Sequence, residues 1–200
     1  MGSREDILAA VRAQKVPPAD APDFDHPWIQ YPDRYAQFSQ MIDTIGGKCH
    51  AVDTLADINP ILESLPAYAS AKQVASLVPG VGKANVDTSK LDTPHKLETI
   101  DYAILSGFFG VAENGAIWVT DEKLRHRALY FIVQHLSLVI PYDSLLNNMH
   151  EAYDRISLGD KKFGVFISGP SKTADIEQSL VIGAHGPRSM QIFCVRNMPK

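Results

Sequence analysis

Cysteine is scarce in this chain: 200 residues hold two, Cys49 and Cys194. Two thiols cannot ligate an iron–sulfur cluster, which takes about four. They lack a CxxC spacing, so neither a zinc knuckle nor a redox pair is suggested, and free buried thiols are expected. The histidines have no ligand spacing either; His150-Glu151-Ala152-Tyr153-Asp154 resembles a zinc-protease helix but ends in Asp. The expectation is no metal and no cofactor. Long apolar runs are missing too. The longest, near Leu129–Val133, stops at Gln134 and His135, short of the roughly 18 residues of a membrane span. Met1 to Asp6 put acids where a secretory leader carries bases, which implies a cytoplasmic protein. Positive charge is not in excess: the formal net charge of −4 argues against a nucleic-acid partner. The one basic patch, Lys123, Arg125, His126 and Arg127, reads as a solvated loop, with an anion site as the alternative.

Several familiar motifs are also absent. Pro79-Gly80-Val81-Gly82-Lys83-Ala84 hints at a phosphate loop, but Leu77 and Ala84 stand where Gly and Ser or Thr are needed. Asn85 breaks the dinucleotide fingerprint, and no G-x-S-x-G elbow occurs. Repeats and low-complexity tracts are lacking. With 45% hydrophobic and 21% charged residues, the chain is neither disordered nor a coiled coil.

What remains is an alternation of helices and strands. A helix is expected from Ser3 to Gln14, then an extended, proline-rich arm from Val16 to Pro32. The arm carries Phe24, Trp28, Ile29 and Tyr31, too many apolar groups to leave in water, so it should lie along the domain or a neighbouring subunit and bury Trp28. A helix follows to Ile45, stopped by Gly46-Gly47. Lys48–Val52, Gln73–Val78, Ile100–Leu105, Gly115–Val119, Leu129–Val133 and Ser137–Ile140 read as strands. A helix capped by Asp53 or Thr54 runs to Leu65, 79–94 is loop, and Tyr142 to Ile156 is helical. Phe163–Ser168, Leu180–Ile182 and Met190–Val195 close the chain as strands, and the central strands of the sheet are expected to include 74–78, 101–105, 163–168 and 190–195. The fold class implied is α/β, one domain with a largely parallel sheet covered on both faces. Residues 1–44 form an N-terminal helical appendage and arm, and 45–200 the α/β domain.

Two stretches carry the chemistry. In Gly107 to Ile117 a glycine-rich turn presents Glu113 and Asn114, with Gly115 free to take positive φ. In Phe166 to Glu177 a strand ends in Ser168-Gly169-Pro170-Ser171, and a short helix is expected with Ser171 or Thr173 as its cap. Its free amides would attract an anion, with Asp175 and Glu177 in the first turn. Just beyond, His185, Gly186 and Arg188 place an imidazole and a guanidinium on a glycine loop. The crevice is expected beyond the carboxyl ends of the strands. There the loop amides, Ser171, Thr173 and Arg188 would hold a carboxylate or phosphate, while Glu113 would meet a hydroxyl or acyl carbon. A Ser171/His185/Asp175 hydrolase lacks any recognisable oxyanion loop.

The run SGPSKTADIEQSLVIGAHGP, Ser168 to Pro187, closely resembles the C-terminal signature of the lactate-utilisation (LUD) domain family, LutC/YkgG type. GVAENGAIWV, Gly110 to Val119, resembles its second signature, with Asn114 at a position usually held by Thr. The resemblance implies a Rossmann-like domain related to the sugar-phosphate isomerase and CoA-transferase superfamily. It implies a non-redox role in oxidising L-lactate to pyruvate, beside partner subunits that carry iron–sulfur clusters; a dimer is compatible with it. Glu113-Asn114-Gly115 is also similar to a CoA-transferase turn whose Glu is the acyl acceptor, which gives an alternative acyl- or CoA-transferring enzyme.

Overall fold

The computed structural model describes residues 3–14, 19–21, 23, 26–156, 163–174, 180–183 and 185–199. In chain order the first half holds α1 (Ser3–Ala13), α2 (Arg34–Thr44), β1 (Lys48–Val52), α3 (Ile58–Ser64), α4 (Pro66–Ala69), β2 (Val74–Ser76) and β3 (Tyr102–Ser106). Next come β4 (Phe109–Val111), β5 (Ala116–Thr120), α5 (Leu129–Ile132), β6 (His135–Pro141) and α6 (Met149–Arg155). The chain ends with β7 (Gly164–Ile167), β8 (Lys172–Ala174), β9 (Leu180–Ile182) and β10 (Ser189–Val195).

Five strands build a parallel sheet in the order β1-β10-β6-β3-β2. Their sequences read as apolar runs because both faces are covered. On one face Tyr102, Ile104, Val139, Phe193 and Val195 pack against Ile58 and Leu62 of α3 and Tyr68 of α4. On the other, Ala103, Leu105, Leu138, Ile140, Ile192 and Cys194 meet Phe38 and Ile42 of α2 together with Ile117 and Val119 of β5. Burying Phe38 and Ile42 contributes about 3–6 kcal/mol, so α2 is part of the main core. The architecture is the expected mixed α/β, Rossmann-like one.

A second, antiparallel sheet, β4-β5-β7, supplies much of that second layer. Ile117 and Val119 point at the parallel sheet, while Trp118 turns outward onto Phe109, Phe166 and Ala152 of α6. Period-two alternation lets β5 serve two cores at once.

Four sequence expectations are corrected. Phe163–Ser168, expected among the central parallel strands, yields β7, which pairs antiparallel with β5 in the smaller sheet. Leu129–Val133 holds a one-turn helix, not a strand; a short apolar run has no periodicity to separate the two. Tyr142 to Ile156 is not one helix: a 3-10 turn at Tyr142–Ser144 is followed by non-helical Leu145 to Asn148 before α6 begins. Ser171 and Thr173 cap no helix, because Lys172–Ala174 is a strand paired antiparallel with Leu180–Ile182.

The arm lies along α6, as its apolar content implied. Trp28 is half-buried and stacks on His150 with ring centroids 3.5 Å apart. Tyr31 donates its N–H to Asn147 Oδ1 (2.9 Å), and Asn148 Nδ2 donates to the Ile29 carbonyl (2.9 Å). Val16 and Phe24 of the arm lie outside the described residues.

Candidate functional site

The β4–β5 connection is a tight turn in which Gly115 N–H bonds the Val111 carbonyl (2.9 Å) and Gly115 has φ +68°. A Cβ at Gly115 would approach Ile45 Cδ1 to 3.0 Å, so the turn sits tightly on the end of α2. Asn114 Oδ1 accepts from Ala116 N–H (3.0 Å), closing an Asx turn. Glu113 is exposed, yet its Oε2 accepts the N–H of Met149 at 2.9 Å. That amide is one of the free donors at the start of α6, and Asn148 Oδ1 takes another from Glu151 (3.0 Å). The carboxylate on the turn is therefore a helix cap contributed from a distant strand pair.

The second signature meets the first. Ser168 Oγ donates to the Asn114 carbonyl at 2.9 Å. Gly169 runs so close to Ile45 that a Cβ would fall 2.9 Å from its carbonyl oxygen. Beyond it, Ser171 N–H donates to the Pro187 carbonyl (2.8 Å), and Gly183 N–H to the Ser171 carbonyl (2.9 Å). A Cβ at Gly186 would lie 3.0 Å from both the Phe131 carbonyl oxygen and Ser171 Cβ, so a side chain there would push the two loops apart by a few tenths of an ångström. Arg188 N–H then bonds the Gln134 carbonyl (2.8 Å).

These contacts fix which end of the sheet the loops occupy. Ile45, Gln134 and Arg188 lie just before β1, β6 and β10 respectively, so the signature loops gather at the amino ends of the parallel strands. The carboxyl-end crevice expected from sequence is thus corrected. It assumed that the strand before Ser168 runs parallel in the main sheet, and β7 does neither. Thr173 lies in β8, so no helix amides face an anion there; Asp175 and Glu177 lie outside the described residues. His185 and Arg188 are exposed.

Sequence reading passed over His135, treated only as the end of an apolar run. It opens β6, and its Nδ1 pairs with Ser189 Oγ at 2.8 Å. Burial, and next the Arg188 guanidinium, hold its pKa below the ordinary imidazole value, with Asp101 opposing. Asp101, Gln134, His135 and Arg188 line an open cavity of about 400 Å³. Arg188 and His135 are 53 positions apart and joined only by the parallel pairing of β10 with β6, so no local spacing signals the pair. Among the described residues no group of three or more His, Cys, Asp or Glu could hold a metal ion, and no helix is long and apolar enough to cross a membrane.

A Rossmann-like α/β protein with two signature loops interlocked at the amino edge of its sheet is the class that fold and site define. The sequence profile of the LUD domain matches residues 67–195, and the chain belongs to that family. It is similar to lactate utilization protein C of Bacillus pumilus, 30% identical over 109 residues, 52% of this chain and 45% of that protein. It is likewise 29% identical over 115 residues to lactate utilization protein C of Geobacillus kaustophilus, 54% and 45% of the two chains. The chain thus spans about half the length of these curated relatives. Among solved structures, a DUF162 family protein from Deinococcus radiodurans matches with TM-score 0.65 and 18% identity, over 81% of this chain and 96% of that one.

Proposed function

We propose that this protein is a non-redox component of lactate utilisation that holds a small anionic ligand, a carboxylate or phosphate, at the interlocked signature loops. It would act beside iron–sulfur partners that carry the electrons from L-lactate to pyruvate. One observation carries the reading: the two signature segments, far apart in sequence, meet through Ser168 Oγ and the Asn114 carbonyl at 2.9 Å. Two further features support it. The C-terminal segment carries Lys172 at the start of β8 and His185 and Arg188 on the loop before β10, all exposed, a set of cationic and titratable groups suited to an anion. The relatives are named for lactate utilisation.

The acyl-transfer alternative has less support. A carboxylate oxygen that accepts the Met149 amide is stabilised as an acceptor, which lowers its nucleophilicity. The following measurements test the readings together. Titration of the purified protein with L-lactate, pyruvate and inorganic phosphate should give saturable binding to at least one of them. Arg188→Gln should weaken it tenfold or more, and Ser171→Ala should abolish complementation of growth on L-lactate with little change in the thermal midpoint. Loss of growth that tracks loss of folding would return Ser171 to a purely structural role. A hydroxylamine-sensitive modification of Glu113 after incubation with acyl-CoA would favour the transferase instead.

A further inference from the structure

Three polar residues stand side by side where the central strands begin. Asp101, Gln134 and Arg188 each precede one member of the register-matched set Tyr102, His135 and Ser189. Backbone bonds tie them across the edge: His135 N–H donates to the Asp101 carbonyl (2.9 Å), and Arg188 N–H to the Gln134 carbonyl (2.8 Å). Strand β6 runs between β3 and β10. Two strand spacings therefore separate the backbones of Asp101 and Arg188, about 10 Å. A carboxylate and a guanidinium thus line opposite sides of the open cavity of about 400 Å³.

These charges are not neutralised within the fold. Among the described residues neither takes part in an ion pair. Asp101 Oδ2 accepts the N–H groups of Lys72 and Gln73, both at 2.8 Å, which fixes the carboxylate and leaves its Oδ1 open to another donor. The Arg188 side chain donates no hydrogen bond among the described residues. Both charges act on the imidazole between them: after burial, which lowers the His135 pKa most, Arg188 lowers it and Asp101 raises it. His135 is itself held in place, by Ser189 Oγ on its Nδ1 (2.8 Å) and by its stacking on Tyr102.

Opposite charges held apart select a ligand that carries both. Glu98, exposed and three positions before Asp101, adds a second carboxylate to the lining. A simple anion is attracted by Arg188 and repelled by the two carboxylates, and a simple amine meets the reverse. A zwitterion complements both sides at once. Ala67, Ser70 and Ala71, in and just after α4, contribute only small side chains, and no aromatic ring besides the imidazole lines the cavity, which suits a small polar body. We propose that this cavity binds a small zwitterionic α-amino acid, with Arg188 on the carboxylate and Asp101, assisted by Glu98, on the ammonium group. The site shares Arg188 with the anion-binding loops but draws on Asp101 and Glu98, which lie outside both signature segments, so it does not rest on the reading given for those loops.

The test is calorimetric titration of the full chain with glycine, L-serine, acetate and ethylamine, with nuclear magnetic resonance of the histidine rings in parallel. Glycine or L-serine should bind saturably at one to one, at least tenfold more tightly than acetate or ethylamine. The bound amino acid should shift the His135 signals, which His135→Gln assigns. Asp101→Asn keeps an oxygen for the Lys72 and Gln73 amides and should weaken binding tenfold or more, as should Arg188→Gln. Glu98→Gln, on the exposed rim, should weaken it about threefold and keeps the test intact should Asp101→Asn perturb folding. Binding of L-lactate, pyruvate or phosphate at the signature loops should survive Asp101→Asn, which separates the two readings. Acetate binding as tightly as the amino acids, binding that leaves the His135 signals unmoved, binding indifferent to both Asp101→Asn and Glu98→Gln, or no saturable binding at millimolar amino acid would overturn the proposal.

Discussion

Tyr102 and Ser137 show how single polar groups are accommodated in this core. Both are fully buried, and their hydroxyls bond each other at 2.8 Å between neighbouring strands β3 and β6. Burial pushes the Tyr102 phenol up to about 12, against the lowering effect of the Ser137 bond. Tyr102→Phe leaves Ser137 unpaired and should destabilise the protein by about 1–2 kcal/mol. Urea unfolding of Tyr102→Phe, and of the double variant with Ser137→Ala, checks this: the second change should restore part of the loss. The apolar environment of this pair was legible in the sequence, since Ile100–Leu105 and Ser137–Ile140 read as strands. That Ser137 would face Tyr102 across them was not, because register belongs to the sheet.

Glu113 makes the same point at the level of elements. Sequence reading singled it out as a carboxylate on an accessible turn, and it is exposed; its bond to the Met149 amide depends on α6 arriving from 36 positions away. Glu113→Ala should therefore cost about 1 kcal/mol of stability, the usual scale for losing a helix cap. Glu113→Gln keeps a carbonyl acceptor and should cost much less; thermal unfolding of the pair separates the two. Helix α6 is held by more than this cap. Glu151 Oε2 accepts the Asn147 N–H (2.8 Å), and its Oε1 accepts from Gln30 of the arm (3.0 Å). Elements with strong periodicity or clear stops, such as α2 before Gly46-Gly47, were readable in advance. The short ones were not. Leu129–Val133 and Lys172–Ala174 took their helical and strand forms from what packs or pairs with them, and stretches of three to five residues carry too little local preference to resist.

On the scale of the molecule, the pH response gathers at the amino edge of the sheet. His135 has its pKa lowered in the fold, by burial first and by Arg188 second. The unfolded chain therefore takes up a proton near the ordinary value of about 6.5, while the native state stays neutral. Stability should accordingly fall as pH drops below about 6.5, levelling once the pH passes below the depressed native value. Denaturant midpoints measured between pH 8 and 5 should show this loss in the wild type and a smaller one in His135→Gln.

Composition and apolar patterning determined by themselves that this chain forms an α/β core with a parallel sheet, because runs buried on both faces can hardly be built otherwise. The two signature segments were equally plain, since their glycines, hydroxyls and charges are contiguous. Tertiary structure alone decided where those segments go. The sequence cannot say whether a strand such as Gly164–Ile167 joins the main sheet or a second one, as both environments demand the same apolar residues. Its antiparallel pairing with β5 carries Ser168 to Asn114 and the loops behind it to the amino edge. Pairing energy accrues along whole strands rather than at individual residues, so this choice is made only when the sheets assemble.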